Sequence, residues 1–333
     1  MSPEKSTIVR VMPQLVAPTR VASPRGAGRR ARRRPRPTVG AQATRAAAAL
    51  LPRLEDRSPA VAGRLAEWLW FRTPTTAPAA RRTAETPPGG EPFELPWGGG
   101  ALRGRVYGSW GDPTAYLVHG WGGWWQQLGA QVTSLQRAGL CVVAFDAPAH
   151  GGSGRGRHGR RSTDVVEMSD ALAAVVREFG RPTIVVAHSL GALAAVRALE
   201  LRVRPEAYAF LAPALEAAPL ERRFAAALAL GPRSSAELTR RGERRTGIAL
   251  DEVDAVSIAS RQPSLPALLL VHDRGDREVP MKGSVELSSA WHDARLMLTD
   301  GLGHRRLLRD PAVVERVTAH AVTAAATVRR SSR

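Results

Sequence analysis

Ser189 stands in the string Ala187-His188-Ser189-Leu190-Gly191, after an apolar run over residues 183–187 and at the head of a small-residue helix containing Gly191, Ala192, Ala194 and Ala195. A serine at a tight strand-to-helix turn presents its hydroxyl near the backbone N–H groups of the helix start, which favour developing negative charge. That is local machinery for nucleophilic attack on a carbonyl. Small residues on either side let strand and helix cross closely. The usual pattern is G-x-S-x-G, and here Ala187 holds the first position, adding one methyl group. The competing reading is a serine that only caps a helix after a strand, a common event.

A nucleophile of this kind needs oxyanion donors, a base and an acid. Val118-His119-Gly120-Trp121-Gly122-Gly123 closes an earlier apolar run. With that string the sequence resembles the α/β-hydrolases, in which an H-G motif follows the third strand. In that family a backbone N–H just beyond the motif forms the oxyanion hole with the N–H after the serine. Carried onto this sequence, the resemblance selects the N–H groups of Trp121 and Leu190, and gives His119 the task of supporting the loop. Asp146-Ala147-Pro148-Ala149-His150-Gly151-Gly152-Ser153-Gly154 resembles the family's D-x-P-G-x-G-x-S segment, with Ala149 replacing a common glycine. It reads as structural, so Asp146 and His150 are the weaker catalytic candidates. Val271-His272-Asp273-Arg274-Gly275-Asp276-Arg277-Glu278-Val279-Pro280 resembles the D-x-x-V-P signature and selects Asp276 as the acid, with Asp273 as its rival on the same loop. Asp300-Gly301-Leu302-Gly303-His304 resembles the G-H motif after the final strand and selects His304 as the base. The order Ser189, Asp276, His304 is the one expected for this fold. The resemblance covers about residues 92–325.

The resemblance implies a serine hydrolase that cleaves a carboxylic ester through an acyl-enzyme, with no metal or organic cofactor and a small-molecule acyl substrate. A serine-dependent acyltransferase or thioesterase has the same triad, and a non-catalytic hydrolase-like binding protein is the alternative of another class. Serine at position 189 sets aside the halide and epoxide hydrolases of this fold, which use an aspartate nucleophile.

The elements that must position these residues are legible as alternation. Apolar runs at residues 116–118, 140–145, 183–187, 207–212, 267–271 and 294–298 are separated by helical patterns, among them 124–138, 163–178 and 190–201. Runs without polar alternation suit strands buried on both faces, hence a mostly parallel sheet flanked by helices, with site residues just past the strands' C-terminal ends. Shorter strand-like pieces fall near 92–97 and 101–108. Residues 213–262 lie between two core strands, where this family inserts a helical lid; Leu220, Phe224, Leu228 and Leu230 could face a pocket or simply pack the insertion down. Trp121, Trp124 and Trp125 cluster beside the oxyanion loop, and Trp124 and Trp125 are the candidate substrate-binding residues. Cys141, in a buried strand, reads as inert core.

The chain has 333 residues, 48 Lys plus Arg against 30 Asp plus Glu, and a net charge of +18. It is unevenly spread: residues 1–50 hold eleven basic residues and one acid, Glu4. Residues 1–40 read as a disordered basic tail that could touch nucleic acid or an anionic surface; a solvated tail or a start codon assigned too early are the plainer readings. Residues 41–91 read as a helical segment and linker, with Trp68, Trp70 and Phe71 packing on the main domain, and residues 92–333 as the hydrolase domain. No run of about 18 apolar residues suggests a membrane-spanning helix. The apolar stretch near residue 50 is too short for a secretion signal. The single cysteine precludes an intramolecular disulfide and fits a reducing compartment, so a cytoplasmic location is expected.

Overall fold

The computed structural model describes residues 51–74 and 86–331; the basic tail expected over residues 1–40 lies outside the described residues. Eight strands form a single sheet in the order β1-β2-β4-β3-β5-β6-β7-β8. In chain order they are β1 (Glu91–Trp97), β2 (Gly100–Tyr107), β3 (Thr114–Val118), β4 (Cys141–Phe145), β5 (Ile184–His188), β6 (Ala207–Leu211), β7 (Ala267–Asp273) and β8 (Ala294–Thr299). The first two strands pair antiparallel and β2 joins β4 antiparallel; β4 through β8 are all parallel.

The continuous apolar runs are explained by burial on both faces. Along β4, Cys141, Val143 and Phe145 enter one core layer while Val142 and Ala144 enter the other. Helices α3 (Val165–Phe179), α4 (Leu190–Arg197), α7 (Ala255–Ser260) and α8 (Lys282–Ala290) contribute to the first layer. Helices α2 (Gly129–Arg137) and α10 (Pro311–Ser331) cover the second with Val132, Leu135, Val313 and Val317. Cys141 is a buried free thiol whose pKa is raised, chiefly by that burial. Among the described residues, no helix is long and apolar enough to cross a membrane.

Between β6 and β7 the chain inserts α5 (Ala217–Ala227), α6 (Pro232–Thr246) and the short α7, where a helical insertion was expected. Its apolar side chains do not all turn toward the sheet. Phe224, Leu228 and Leu230 join Leu51, Ala62, Ala66, Leu69 and Trp70 in a separate cluster, which binds the insertion to helix α1 (Pro59–Trp70). Trp70 packs against Phe224 with tilted rings 5.0 Å apart, Phe71 is buried, and Trp68 points outward. Polar links tie the same helices: Arg241 of α6 reaches Glu67 of α1 at 2.6 Å.

Two helix boundaries differ from the sequence pattern. The stretch starting at residue 124 is first a 3₁₀ turn, Trp125–Leu128, and becomes α-helical only at Gly129. The helix after Ser189 ends at Arg197, and the chain then turns through Arg202, whose φ is +65°.

The tightest point in the fold is where α4 passes the end of β3. A Cβ on Gly191 would lie 2.6 Å from the His119 carbonyl oxygen and 2.7 Å from that of Val118. Backbone cannot yield as a flexible side chain does. Gly191→Ala should therefore lower stability by about 1–3 kcal/mol, the usual range for overpacking. In Gly242→Ala the new methyl would meet nothing nearer than Phe71 at 3.6 Å. Removing a glycine from a helix interior there should leave the melting temperature unchanged or slightly raised. Thermal denaturation of the two variants checks this; equal melting temperatures would mean the crossing is looser than described.

Candidate active site

Ser189 occupies the turn between β5 and α4 with φ +52° and ψ −126°. Residues bearing a side chain avoid that region, and occupying it costs on the order of 1–3 kcal/mol. The surroundings hold it in place. The Ser189 N–H donates to Leu211 O (3.1 Å), and the Ser189 carbonyl accepts from Ala192 N (3.0 Å) and Ala214 N (3.1 Å). Ala187 fits without difficulty, since its methyl lies in the first core layer. The glycines the elbow does require are Gly191, behind it, and Gly120, where a Cβ would come 2.7 Å from Ser189 Cβ. Gly120 thus brings the loop after β3 directly against the serine. Among the described residues, neither the Trp121 nor the Leu190 backbone N–H donates to an acceptor.

That loop is fastened by two neutral imidazoles and one carboxylate. His119 Nδ1–H donates to Gly120 O (2.7 Å), and its Nε2 accepts from Ala147 N–H (2.9 Å). Burial pushes its pKa down to about 4. His150 Nδ1–H donates to Pro148 O (3.0 Å), and its Nε2 accepts from Gly122 N–H (2.9 Å). Burial, then the nearby His119, push its pKa down to about 3. Asp146 accepts from Trp125 N–H (2.8 Å) and Gly152 N–H (2.6 Å), and its carbonyl accepts from Ser153 Oγ (2.6 Å). The Asp146–Gly154 string therefore braces the loop after β3.

Asp276 and His304, the residues expected as acid and base, meet across the ends of β7 and β8. His304 lies in the one-turn helix α9 (Gly303–Arg306), with its Nδ1 2.8 Å from Asp276 Oδ2. A carboxylate only accepts, so Nδ1 carries a proton, and in the neutral ring Nε2 is the nitrogen left with a lone pair. The Asp276 side chain is fully buried. Burial alone would raise its pKa, but hydrogen bonds from His272, His304 and the Val279 N–H outweigh it and hold the carboxyl well below its usual range. Asp273 is occupied elsewhere. Its oxygens accept from Gly275 N–H (2.9 Å), Thr299 Oγ1 (2.9 Å) and Leu302 N–H (2.8 Å), locking the end of β7 to the end of β8.

Two histidines that the sequence reading did not single out complete the surroundings. His272, wholly buried, has Nε2 3.4 Å from Asp276 Oδ2 and 3.1 Å from Val279 O, while its Nδ1 lies 2.7 Å from Ser284 Oγ. It therefore reaches the same carboxylate oxygen that His304 does. His188 Nε2 donates to the His304 carbonyl (3.1 Å), and the two rings sit 4.7 Å apart. Burial, then the nearby His304, push its pKa down to about 3. The residue next to Ser189 thus grips the loop that carries His304. Ser189 Oγ itself makes no hydrogen bond among the described residues; such bonds are often loose in a free site. The signal available in sequence was a histidine closing each of two apolar runs, one beside the serine and one beside the acidic loop.

The tryptophans divide differently from their clustering in sequence. Trp125 is buried in the second core layer, 6.2 Å from the Tyr107 ring, which removes it from solvent. Trp124 is half-buried and its Nε1 has no partner among the described residues. Trp121 lies edge-on to His150 at 5.3 Å and covers an apolar patch formed by Ala147, Met168 and Ala194.

A family model described as the alpha/beta hydrolase family matches residues 115–317. No curated protein matches the chain. Among solved structures, the chain is similar to a monoacylglycerol lipase of Paleococcus ferrophilus, with 23% identity, 70% of this chain and 99% of that chain covered, and a TM-score of 0.51. An esterase of Rhodococcus sp. ECU1013 is similar at 17% identity, covering 70% and 98%, with a TM-score of 0.52. The thioesterase domain from the curacin biosynthetic pathway is similar at 17% identity, covering 70% and 99%, with a TM-score of 0.52. At these identities the likeness is one of fold.

The depressed pKa of Asp276 makes a prediction about stability. A carboxyl whose folded pKa lies below its unfolded value contributes stability above about pH 4, and that contribution is lost as pH falls through the folded value. Asp276→Asn should melt below wild type at pH 7, and the gap between the two should shrink steadily as the pH is lowered from about 5 to 3. A gap that stays constant over that window would deny the buried carboxylate this role.

Proposed function

The chain belongs to the alpha/beta hydrolase family, and we propose that it is a serine hydrolase acting on carboxylic esters. In this reading His304 Nε2 takes the Ser189 proton as Oγ attacks the acyl carbonyl. Asp276 fixes the imidazole tautomer and stabilises the imidazolium, with His272 steadying the carboxylate. The N–H groups of Trp121 and Leu190 receive the oxyanion; losing one such donor typically costs about 3 kcal/mol of barrier. His304 then gives its proton to the leaving alcohol. Water, deprotonated by the same imidazole, releases the acid and restores Ser189. The observation that carries this reading is the backbone of Ser189, held at φ +52° and ψ −126° by bonds to Leu211, Ala192 and Ala214. A serine that merely capped a helix would need no such conformation. The insertion formed by α5–α7 serves as the lid over the acyl group, and the site works in the cytoplasm.

The reading is tested with p-nitrophenyl esters from acetate to palmitate, acyl thioesters as a second panel, and a serine-directed fluorophosphonate. Wild type should hydrolyse some members of the ester panel and take the label on Ser189. Ser189→Ala and His304→Ala should each remain folded, with turnover reduced on the order of 10³-fold or more. Near-normal ester turnover by folded Ser189→Ala would refute the mechanism. A preference for thioesters would change the substrate class while keeping the site. A folded wild type that neither turns over nor labels would leave a binding protein.

A further inference from the structure

We propose that the outer face of α1 docks on an anionic lipid surface. Helix α1 buries Ala62, Gly63 and Ala66 and rests on α6. Its opposite side exposes Val61 (47%), Leu65 (38%) and Trp68 (55%). Spaced by four and three residues, they form one stripe along the helix. Large apolar side chains grouped on a surface mark a place where something binds.

The charges nearest the stripe are arginines, and the exposed acid before the helix, Asp56, is paired with Arg233. Arg57 and Arg64 are exposed beside it, and the Arg72 guanidinium lies 4.3 Å over the Trp68 ring. The acids of this stretch belong to another face. Glu67 is paired with Arg241 at 2.6 Å, Asp56 with Arg233 at 3.0 Å, and Glu55 accepts from the Arg233 and Ser234 N–H groups of α6. The sequence just before the helix adds to the same sign, with eleven basic residues and one acid in residues 1–50.

An apolar stripe flanked by arginines is the pattern of a helix lying in a membrane interface, where apolar side chains enter the acyl boundary and cations meet anionic headgroups. Tryptophan suits that boundary. Nucleic acid would satisfy the arginines but not the exposed Val61, Leu65 and Trp68, so the apolar component decides between the two polyanions. The helix also stands close to the candidate site. It runs through Phe71 and Thr73 to Pro74, against which a Cβ on Gly122 of the oxyanion loop would collide. Docking there would set the site beside the lipid surface. The proposal does not depend on the chemistry assigned to Ser189.

The full-length chain is sedimented with vesicles of pure phosphatidylcholine and with vesicles of equimolar phosphatidylglycerol and phosphatidylcholine. Binding should be confined to the anionic vesicles. Leu65→Glu combined with Trp68→Glu should weaken it about tenfold or more while the protein stays folded with at most a small drop in melting temperature, because both side chains already stand partly in solvent. Ser189→Ala should bind as wild type does, so docking and catalysis are scored separately. Removing residues 1–40 should weaken binding without abolishing it. The proposal is overturned if wild type ignores both vesicles, or if the double Glu variant binds undiminished, which would leave the basic tail as the whole attraction. Tighter binding to duplex DNA than to anionic vesicles, undisturbed by the double variant, would assign the charge to nucleic acid instead.

Discussion

The whole site depends on one close approach, that of Gly120 to Ser189 at the head of α4. The end of β3, the turn after β5 and the first residues of α4 meet where no methyl group could be added to Gly120 or Gly191. The serine backbone takes a conformation that is unfavourable in isolation and is held by a ring of hydrogen bonds to β6, α4 and the segment after β6. Those bonds are available because β5 sits at the centre of the sheet between β3 and β6, with its five residues buried. Local strain is thus balanced by the neighbouring strand: β6 and the segment after it supply two of the bonds, and the loop after β3 closes the other side by close approach at Gly120.

Electrostatics around this point follow a consistent division. His119, His150 and His188 are buried and driven neutral, and each uses its ring to satisfy or hold backbone groups. Asp276 is equally hidden from solvent but stays ionised, because His272, His304 and the Glu278 and Val279 N–H groups converge on it. With neutral rings around it, the His304 imidazole has the Asp276 carboxylate as its hydrogen-bonded partner. Protonating His188 would place a second cation 4.7 Å from that ring, and its burial prevents this.

Much of this was legible in the sequence, for identifiable reasons. The strands could be read because parallel strands buried on both faces leave uninterrupted apolar runs, as Cys141–Phe145 does. The elbow, the H-G loop and the two late strings could be read because each follows such a run. What was not legible rests on tertiary partners. The helix after the oxyanion loop begins at Gly129 and not at residue 124, because Asp146 captures the Trp125 N–H and draws that ring into the core. A tryptophan beside a site motif looks the same in sequence whether it lines a pocket or fills a core. His188 acts on the His304 carbonyl from 116 positions away, a contact that no local pattern displays.

The same distinction bears on the insertion. Phe224 and Leu228, four residues apart, have the spacing of a helical apolar stripe, and such a stripe does not name its partner. The partner is α1, a segment outside the sheet and far earlier in the chain. The surface ion pairs between the two helices contribute little, about 0–1 kcal/mol each. The apolar cluster carries the attachment, since it buries several large side chains worth roughly 1.5–3 kcal/mol apiece. Lifting α5 and α6 off α1 would return that area to water, whereas moving all three together would preserve it. The mechanically natural unit over this side of the sheet is therefore the insertion with α1, and the face of α1 that remains in solvent is the outward surface of that unit.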